Sequence, residues 1–373
     1  MTKAAELAKM GEVLTNSQLG GRRNIVINGA MQISQRATSA TGLGGDGSNG
    51  YFTVDRFKSF SAGTAGRYTQ SQSAITDLPG FAKALKFDCT TADTSIAAGE
   101  YLILQQNFEG QDLQQIKKGT SSAEKVTVSF YVKGNANATY ALELLDVDNS
   151  RTTTKLFNVT SSWNRISLTF DADTTGAFDD DTAESLRLFW WLHAGSTYTG
   201  GTLNTTWASS STTANRVAGI SSFFDSTDRT FFITGVQLEV GSQATPFEHR
   251  SFGEELALCQ RYYYRRTISS AGFNNEYFSA VYAYGTTDVQ GGQLHPVQMR
   301  AIPSVTFDGI LKITNGSAAA SHTGASSFSF TSYSSVDNLS LYTHSSCFSG
   351  LTQHRAYMMY GDTNDFIEVS SEL

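Results

Sequence analysis

Charged residues and proline are scarce in this chain of 373 residues: 16% of the residues are charged and 4 are proline. Glycine, aromatic and hydroxyl-bearing residues are frequent by comparison. Few charges combined with many β-forming residues favour an all-β surface protein over a helical enzyme. No apolar run reaches the roughly 18 residues of a membrane-spanning helix, so we expect no membrane insertion.

The chain also lacks a net positive charge and a secretory leader. Its formal net charge is −7, which argues against a general nucleic-acid binder, because phosphate binding needs clustered cations. The opening residues, MTKAAELAKMGEVL, show neither the apolar core nor the cleavage site of a signal peptide. We therefore expect synthesis in a cytoplasm, no export by that route and no nucleic-acid partner.

Catalytic and metal-binding motifs are missing too. Cys89, Cys259 and Cys347 are far apart and form no CxxC pair, so we expect buried free thiols in a reduced compartment. The 6 histidines are scattered without HExxH spacing, and neither a GxSxG motif nor a GxxxxGK[ST] loop occurs. The sequence therefore predicts no cofactor, no metal and no enzymatic activity.

Residues 1–22 begin with a short helical pattern. Leu7, Met10 and Leu14 are spaced by three and four positions, which forms one seam of a coiled coil. A coiled coil this short is marginal in water. We interpret the segment as an element for self-association or for docking into a larger assembly. The alternative is a terminus that packs on its own domain.

The strand pattern is clearest between residues 99 and 240, where apolar and polar residues alternate. The predicted inward faces carry Val126, Val128, Phe130 and Val132; Ile166, Leu168 and Phe170; Leu186, Leu188, Trp190 and Leu192; and Phe232, Val236, Leu238 and Val240. A period of two with one polar face is typical of antiparallel sheets that are solvated on one side. Two such sheets packed as a jelly roll fit residues 23–250 best.

The stretch QLEVGSQATPFEHRSFGEELALCQRYYYR changes from a strand pattern to a helix pattern. Ser251 and Glu254 have the spacing of a capping box, which predicts a connecting helix over residues 251–265. The apolar stripe of that helix consists of Phe252, Leu256, Cys259 and Tyr263. Beyond it the composition shifts to serine, tyrosine and short strand patterns, so residues 266–373 are predicted to form a second, smaller β-sandwich.

Several segments together resemble bacteriophage tail-fibre or receptor-binding proteins that carry a jelly roll like that of carbohydrate-binding modules, a group found in marine phages. The segments are RRNIVINGAMQISQRA, YFTVDRF, FEGQDLQQIKKGTSSAEKVTVSFYVKGN, LRLFWWLHAGSTYTGGTLNTTWAS, ITGVQLEVGSQATPFEHRSFGEELALCQRYYYR and HPVQMRAIPSV. The likeness covers most of residues 22–305. The opening AAELAKMGEVLTN also resembles structural proteins of cyanophages.

This resemblance implies a virion component, usually a homotrimer, made in the host cytoplasm and placed on the tail. Residues 1–22 would then trimerise and attach to other tail proteins, and residues 266–373 would form the tip that faces the receptor. The implied partner is a host surface polysaccharide or lipopolysaccharide. The chain lacks a long coiled-coil shaft and a collagen-like region, so any rod that it forms is short.

Sugar binding by a β-sandwich needs flat aromatic rings and nearby amides or carboxylates. Trp190 alternates with the inward-facing leucines of its strand, so Trp191 points to the opposite face. There Trp191 could form an aromatic platform with Tyr198 and Trp207. The alternative is that a second layer or a subunit interface covers Trp191. In the last domain we select Tyr282, Tyr284 and Tyr333 as glycan-contact candidates, although alternation requires some of its aromatic residues to be core.

Acidic residues offer two rival interpretations. Asp171, Asp173 and Gly176 begin like a calcium loop, but Thr182 stands where an EF-hand needs glutamate, so we expect a solvated acidic loop. Glu239, Glu248, Glu254 and Glu255 lie near the seam, yet their spacing does not mark a glycosidase pair. A polysaccharide depolymerase and a purely structural head fibre or tail adaptor remain the alternatives to a binding protein.

Overall fold

A computed structural model describes residues 3–4, 22–269, 276–316, 321–323, 334–343 and 347–373. These residues divide into two compact units. The first runs up to Glu255 and also includes Leu373, and the second runs from Leu256 to Glu372. In the part of the chain described, no helix is long and apolar enough to cross a membrane.

The first unit is a sandwich of two antiparallel six-stranded sheets. In chain order its strands are β1 (Ser39–Leu43), β2 (Lys58–Ala62), β3 (Arg67–Ala74), β4 (Lys83–Thr91), β5 (Tyr101–Glu109), β6 (Val126–Gly134), β7 (Ala138–Asp146), β8 (Arg151–Val159), β9 (Asn164–Phe170), β10 (Glu184–Ala194), β11 (Ala208–Ser209) and β12 (Thr230–Val240). One sheet has the order β1-β3-β4-β12-β6-β9 and the other β11-β8-β7-β10-β5-β2. The predicted jelly-roll sandwich is confirmed.

Short helices connect these strands. Helix α1 (Ser196–Thr199) follows β10, and 3-10 turns occupy Gly110–Asp112, Gln114–Ile116, Thr213–Asn215 and Phe223–Asp225. Asn28 lies in a turn, with a positive φ of 62°. The Asn28 side chain donates to the main-chain oxygens of Ile33 and Asp55, at 2.8 and 2.9 Å, and so ties this turn to the chain just before β2.

Alternation along the strands decides which side chains fill the space between the two sheets. The predicted inward residues of β6 and β10, including Phe130 and Trp190, are all buried in one hydrophobic core. On β9, Phe170 is buried and its inward neighbours are partly buried against the same core. Trp191 belongs to a separate apolar cluster on the opposite face of β10. The predicted split between Trp190 and Trp191 is confirmed.

One inward residue was predicted incorrectly. Phe232 lies on the outer face of its sheet, where its ring is 6.1 Å from that of Trp163, and Phe231 and Ile233 face the core instead. The pairing of β12 with β6 shifts beyond Thr234, at Gly235, whose φ of +62° marks a bulge. An extra residue in a strand exchanges the two faces beyond it. Even-numbered residues face the core after the bulge and odd-numbered residues face it before the bulge, so Phe232 does not share the face of Val236.

The connecting helix is shorter than predicted. Helix α2 covers Phe252–Gln260, with the Ser251 hydroxyl accepting from the Glu254 amide, but Tyr263 begins a strand rather than continuing the helix. Tyrosines favour strands, and this one pairs with Ser370 of the last strand. Phe252, assigned to the apolar stripe, is 63% exposed.

The second unit is also built of two antiparallel sheets. Its strands are β13 (Tyr263–Thr267), β14 (Ser279–Ala283), β15 (Val289–Leu294), β16 (Ser304–Asp308), β17 (Lys312–Thr314), β18 (Ser321–Thr323), β19 (Asn338–Ser340), β20 (Ala356–Tyr360) and β21 (Phe366–Ser370). One sheet has the order β13-β21-β16, and the other β18-β17-β20-β14-β15-β19. Side chains of both sheets, among them Val281, Met359 and Ile367, form one core, which confirms the predicted smaller sandwich.

Some buried polar side chains are hydrogen-bonded within the fold, His295 of the second unit among them. In the second unit, His295 bonds to the Tyr264 hydroxyl at 2.8 Å and to the Ser335 carbonyl at 3.1 Å, and burial lowers the pKa of His295. The three thiols of Cys89, Cys259 and Cys347 are buried and unbonded to one another, as predicted.

The acidic stretch of the first unit is not simply a solvated loop. The ammonium of Lys118 lies 2.5 Å from Asp146 and 3.1 Å from Asp173, and it donates to the carbonyl oxygens of Thr175 and Gly176 at 2.8 Å. Burial raises the pKa of Asp173, but hydrogen bonds from Arg151, Thr175 and Lys118 outweigh burial and hold that pKa below its ordinary value. Two carboxylates and two carbonyls therefore surround a lysine, and no metal-ligand cluster occurs in the described residues.

Replacing Lys118 with methionine should lower the free energy of unfolding by about 3–5 kcal/mol, because two buried carboxylates would lose their cation. Chemical denaturation monitored by tryptophan fluorescence measures this loss. The matched control is Lys117→Met, since Lys117 is 53% exposed and pairs with Glu124 at the surface; its change should stay below about 1 kcal/mol. Equal losses in both variants would contradict the assignment.

Candidate functional site

A cleft of about 330 Å³ lies on the outer face of the β11-β8-β7-β10-β5-β2 sheet. Strand alternation places the odd-numbered residues of β5 and β10 on this face. The lining consists of Lys58, Phe60, Tyr101, Ile103, Gln105, Asn107, Leu145, Glu184, Arg187, Phe189, Trp191, Tyr198, Arg216 and Leu373. The cleft therefore combines a sheet surface with side chains supplied by the connection after β10.

One end of the cleft is aromatic. The ring of Tyr101 lies 5.2 Å from that of Phe60 and 5.6 Å from that of Tyr198, to which it is nearly perpendicular at 89°. Trp191 lies below them, with its centroid 5.2 Å from Tyr198. Because Trp191 is only 1% exposed, the ring surfaces of the half-buried Phe60, Tyr101 and Tyr198 are the ones that a ligand can reach.

A buried carboxylate joins the sheet to the connection after β10 at this aromatic end of the cleft. Glu143 is fully buried and accepts from the indole nitrogen of Trp191 at 2.7 Å. The same carboxylate accepts two bonds from Arg216, at 2.8 and 2.7 Å, and a third contact from the Thr152 hydroxyl. The Arg216 guanidinium also lies 4.9 Å from the centroid of the Trp191 ring. Bidentate pairing and cation–π contact together fix both side chains.

The connection from Gly195 to Val217 is fastened to the sandwich by main-chain bonds. Gly195 donates to Glu100, and Val217 donates to the carbonyl of Tyr198 at 3.0 Å. A side chain at Gly195 would place its Cβ 2.0 Å from the carbonyl oxygen of Ala97, so only glycine permits this close approach. Tyr198 is thus held over the sheet by main-chain bonds of its connection as well as by the contacts of its ring with Tyr101 and Trp191.

The other end of the cleft is polar. Gln105 donates to Asn107 at 3.1 Å, and Asn107 donates to the main-chain oxygen of Leu373 at 3.0 Å. Arg187 forms an ion pair with Glu184 and lies 5.9 Å from the Phe189 ring. Lys58 is opposite Gln105 in the β2–β5 pairing. Amides and charged groups at one end and rings at the other suit a ligand with many hydroxyls and an apolar face.

The structure brings together only part of the aromatic group predicted from sequence. Trp191 and Tyr198 share the cleft, but Trp191 is covered by Arg216 and its connection rather than exposed. Trp207 lies elsewhere. Its ring packs against the main core and the Lys118 ammonium, and its indole nitrogen donates to the main-chain oxygen of Asp171 at 2.8 Å. The predicted three-residue platform does not form, because the connection turns away between Tyr198 and Trp207.

Sequence reasoning missed Phe60, Tyr101, Lys58 and Arg216. The alternation in YLILQQNFE, Tyr101–Glu109, already places Tyr101, Gln105 and Asn107 on one face, and this signal was available. No local pattern could assign Arg216, because its partner Glu143 is remote along the chain.

The tyrosines chosen in the second unit lie on an exposed sheet face. Tyr282 and Tyr284 of the β14 region are 41% and 54% exposed. The Tyr282 hydroxyl donates to Gln290 at 2.9 Å, and the Tyr284 ring lies 5.9 Å from that of Tyr342. Tyr333 lies outside the described residues, as do the predicted trimerisation residues Leu7, Met10 and Leu14.

The carboxylates near the seam are engaged in structural bonds. Glu239 accepts from the amide and hydroxyl of Thr245 at 2.9 and 2.7 Å. Glu248 accepts from the main-chain amides of Arg23 and Asn24, at 2.9 and 2.7 Å. Glu255 accepts from the Asn28 amide at 2.6 Å, and Glu254 forms an ion pair with Arg22. These side chains close the sandwich rather than converge on the cleft.

A serine, a histidine and a glutamate also form a chain in the first unit. The two ring nitrogens of His193 lie 2.8 Å from the Ser222 hydroxyl and 3.3 Å from Glu100. Burial lowers the pKa of His193, although Glu100 acts in the opposite direction. The imidazole is 0% exposed, and the serine oxygen accepts the Phe224 amide as a helix cap. This arrangement braces the connection to β12 and offers a substrate no open approach.

Comparison with known proteins leaves the family unassigned. No family model matches, and no curated protein matches. Among solved structures, a family 61 carbohydrate-binding module in complex with β-1,4-galactotriose shares 11% identity, with 59% of this chain and 99% of that chain covered at a TM-score of 0.29. A xylan-binding domain from Paenibacillus barcinonensis shares 14% identity, covering 50% of this chain and 87% of the other at 0.26.

A bacteriophage protein is also among the similar structures. The enzymatically active domain of tailspike protein 4 of bacteriophage CBA120 shares 12% identity, with 58% of this chain covered at a TM-score of 0.30. This chain matches 21% of the length of that tailspike chain. At scores and identities this low, the likenesses carry no argument about function.

Replacing Arg216 with methionine should lower the free energy of unfolding by about 3–5 kcal/mol, because Glu143 would be left buried without its cation. Urea denaturation monitored by tryptophan fluorescence measures the change. Lys125→Met is the control, since Lys125 pairs with Asp171 at the surface, where the two side chains are 51% and 62% exposed. That surface pair should contribute at most about 1 kcal/mol, so a control loss as large as the Arg216 loss would contradict the role given to Glu143.

Proposed function

We propose that this chain is a non-enzymatic receptor-binding protein of a bacteriophage tail, and that it binds a polysaccharide or lipopolysaccharide on the host surface. The cleft of the first unit is the observation that carries the proposal. Its half-buried rings, Phe60, Tyr101 and Tyr198, offer apolar surface for pyranose C–H groups. The adjoining amides and charged side chains offer partners for hydroxyl groups.

The phage assignment is supported by the sequence resemblance to tail-fibre proteins. On this proposal, residues 1–22 trimerise through Leu7, Met10 and Leu14 and dock on other tail proteins. Residues 23–250 form the binding sandwich, 251–265 the joint, and 266–373 a tip on which Tyr282, Tyr284 and Tyr333 make further sugar contacts. The protein is made in the host cytoplasm and assembled into the virion.

Binding without cleavage is supported by the burial of the carboxylates and by the bonds that they form within the fold. Glu143 is fully buried and bonded to Trp191, and the seam glutamates are bonded within the fold. A glycosidase needs two carboxyl groups about 5–10 Å apart on either side of the scissile bond. The cleft lining contributes one acidic side chain, Glu184, and that group is paired with Arg187.

Host polysaccharide should bind the wild-type chain reversibly and release no new reducing ends. Tyr101→Ala and Tyr198→Ala should each weaken binding about fivefold, corresponding to about 1 kcal/mol for one aromatic contact. Affinity electrophoresis measures retention, and a reducing-sugar assay measures cleavage. The control Trp163→Ala removes a half-buried ring from the opposite sheet and should bind as the wild type does.

Two outcomes would contradict this proposal in different ways. Release of oligosaccharides would favour a depolymerase. Failure of the wild-type chain to bind host cells or their polysaccharide would favour a structural adaptor of the virion.

The purified full-length chain should have the mass of a trimer in multi-angle light scattering at micromolar concentration. Three copies would strengthen attachment, because several weak sites act together on one surface. Replacing Leu7, Met10 and Leu14 by serine should yield monomers whose first unit still unfolds at the wild-type temperature. A wild-type mass equal to one chain would refute the trimer.

A further inference from the structure

The cleft is asymmetric in charge as well as in shape. Its lining contains three cations, Lys58, Arg187 and Arg216, and one acidic side chain, Glu184. Most of these charges are neutralised within the protein: Arg216 is paired with the buried Glu143, and Arg187 with Glu184. The ammonium of Lys58 forms no ion pair in the described part of the chain, and it lies 5.9 Å from the centroid of the Tyr51 ring.

Among the described residues, the polar side chains next to Lys58 do not form hydrogen bonds with its ammonium. Gln105, opposite it in register, donates to Asn107, which donates in turn to the oxygen of Leu373. The amides of this end therefore bond to one another and to the main chain. Among the cationic side chains that line the cleft, Lys58 is therefore the one without an ion pair in the described part of the chain.

This charge disfavours a neutral ligand. A saccharide that covered Lys58 with hydroxyl groups alone would remove water from an ammonium without supplying an anion, which costs free energy. An anionic group placed there would instead form a charge-assisted hydrogen bond, which is about twice as strong as a neutral one. The gain would be retained in a cleft more than on an open surface, since screening by salt is weaker there.

The distance between the two ends sets the size of the ligand. Lys58 pairs with Gln105, and Phe60 pairs with Ile103. The path from Lys58 to Tyr101 therefore follows β5 from Gln105 to Tyr101. Four residues of a strand span about 13 Å. A ligand that reaches both Lys58 and the Tyr101–Tyr198 rings is therefore an oligosaccharide rather than a single sugar.

We propose that the cleft selects acidic polysaccharide, with an anionic substituent of one sugar bound at Lys58 and a neighbouring sugar ring lying on Tyr101 and Tyr198. This inference rests on the proposed glycan-binding function and adds the class of ligand. The anion is a carboxylate or a sulfate, because both accept from an ammonium in the same way.

The test compares charged polymers with their neutral counterparts. The probes are polygalacturonate and its carboxyl-reduced form, and dextran sulfate and dextran, each measured by affinity electrophoresis and isothermal calorimetry with the full-length chain. The wild-type chain should prefer at least one acidic polymer over its neutral counterpart by about tenfold at low salt. A higher salt concentration should weaken binding of the acidic polymer but not of its neutral counterpart. A preference for polygalacturonate would indicate a carboxylate, and a preference for dextran sulfate would indicate a sulfate.

Substitution of Lys58 then locates the selectivity. Lys58→Gln should abolish the preference, so that the acidic polymer binds no more tightly than its neutral counterpart. The control Lys117→Gln removes a cation that is 53% exposed and paired with Glu124, and it should retain the preference. An unchanged preference in Lys58→Gln would overturn the assignment to this residue.

The outcomes separate this inference from the function on which it rests. If neutral and acidic polymers bind equally, and Tyr198→Ala weakens both, the cleft binds glycan but does not select charge, so the inference is wrong and the proposed function stands. If the wild-type chain binds none of these polymers and no host polysaccharide, both are wrong.

Discussion

The buried carboxylate of Glu143 is the interaction on which the cleft depends. It belongs to the central part of a sheet, yet it accepts from Trp191 of the neighbouring strand and from Arg216 of the connection that follows β10. A buried carboxylate without partners is strongly unfavourable, so the connection has to stay where Arg216 can reach it. That constraint covers Trp191 and positions Tyr198 at one end of the cleft.

The same principle operates at the other buried ionic cluster. Lys118 supplies the positive charge between Asp146 and Asp173 and also donates to two carbonyls of the acidic stretch. The oxygens that surround it are of the kinds that bind calcium in proteins. An internal ammonium thus organises a loop that acidic composition alone would leave in solvent. In both clusters the charged side chains form ion pairs that stabilise the fold, whereas Lys58 in the cleft forms no ion pair in the described residues.

Much of the fold could be predicted because antiparallel strands carry their burial pattern with a period of two. The inward residues of β6 and β10 follow directly from that alternation, and so does the division between Trp190 and Trp191. The prediction failed at Phe232, where the bulge at Gly235 reverses the parity. A bulge depends on what packs beside it: a Cβ at Gly235 would lie 2.7 Å from a ring carbon of Phe81, which is remote in sequence.

The all-β class, the two successive sandwiches and the faces of most strands follow from local alternation and composition, so they could be predicted from the sequence. Tertiary structure alone decided which aromatic residues meet. Trp207 was grouped with Trp191 because the two are close in the chain, but it packs at Lys118 instead, whereas Tyr101 joins the cleft from a separate strand. The reason is physical: strand periodicity is a property of neighbouring residues, but a cleft is made by long-range pairing of strands and by the buried ion pair that fixes the loop above them.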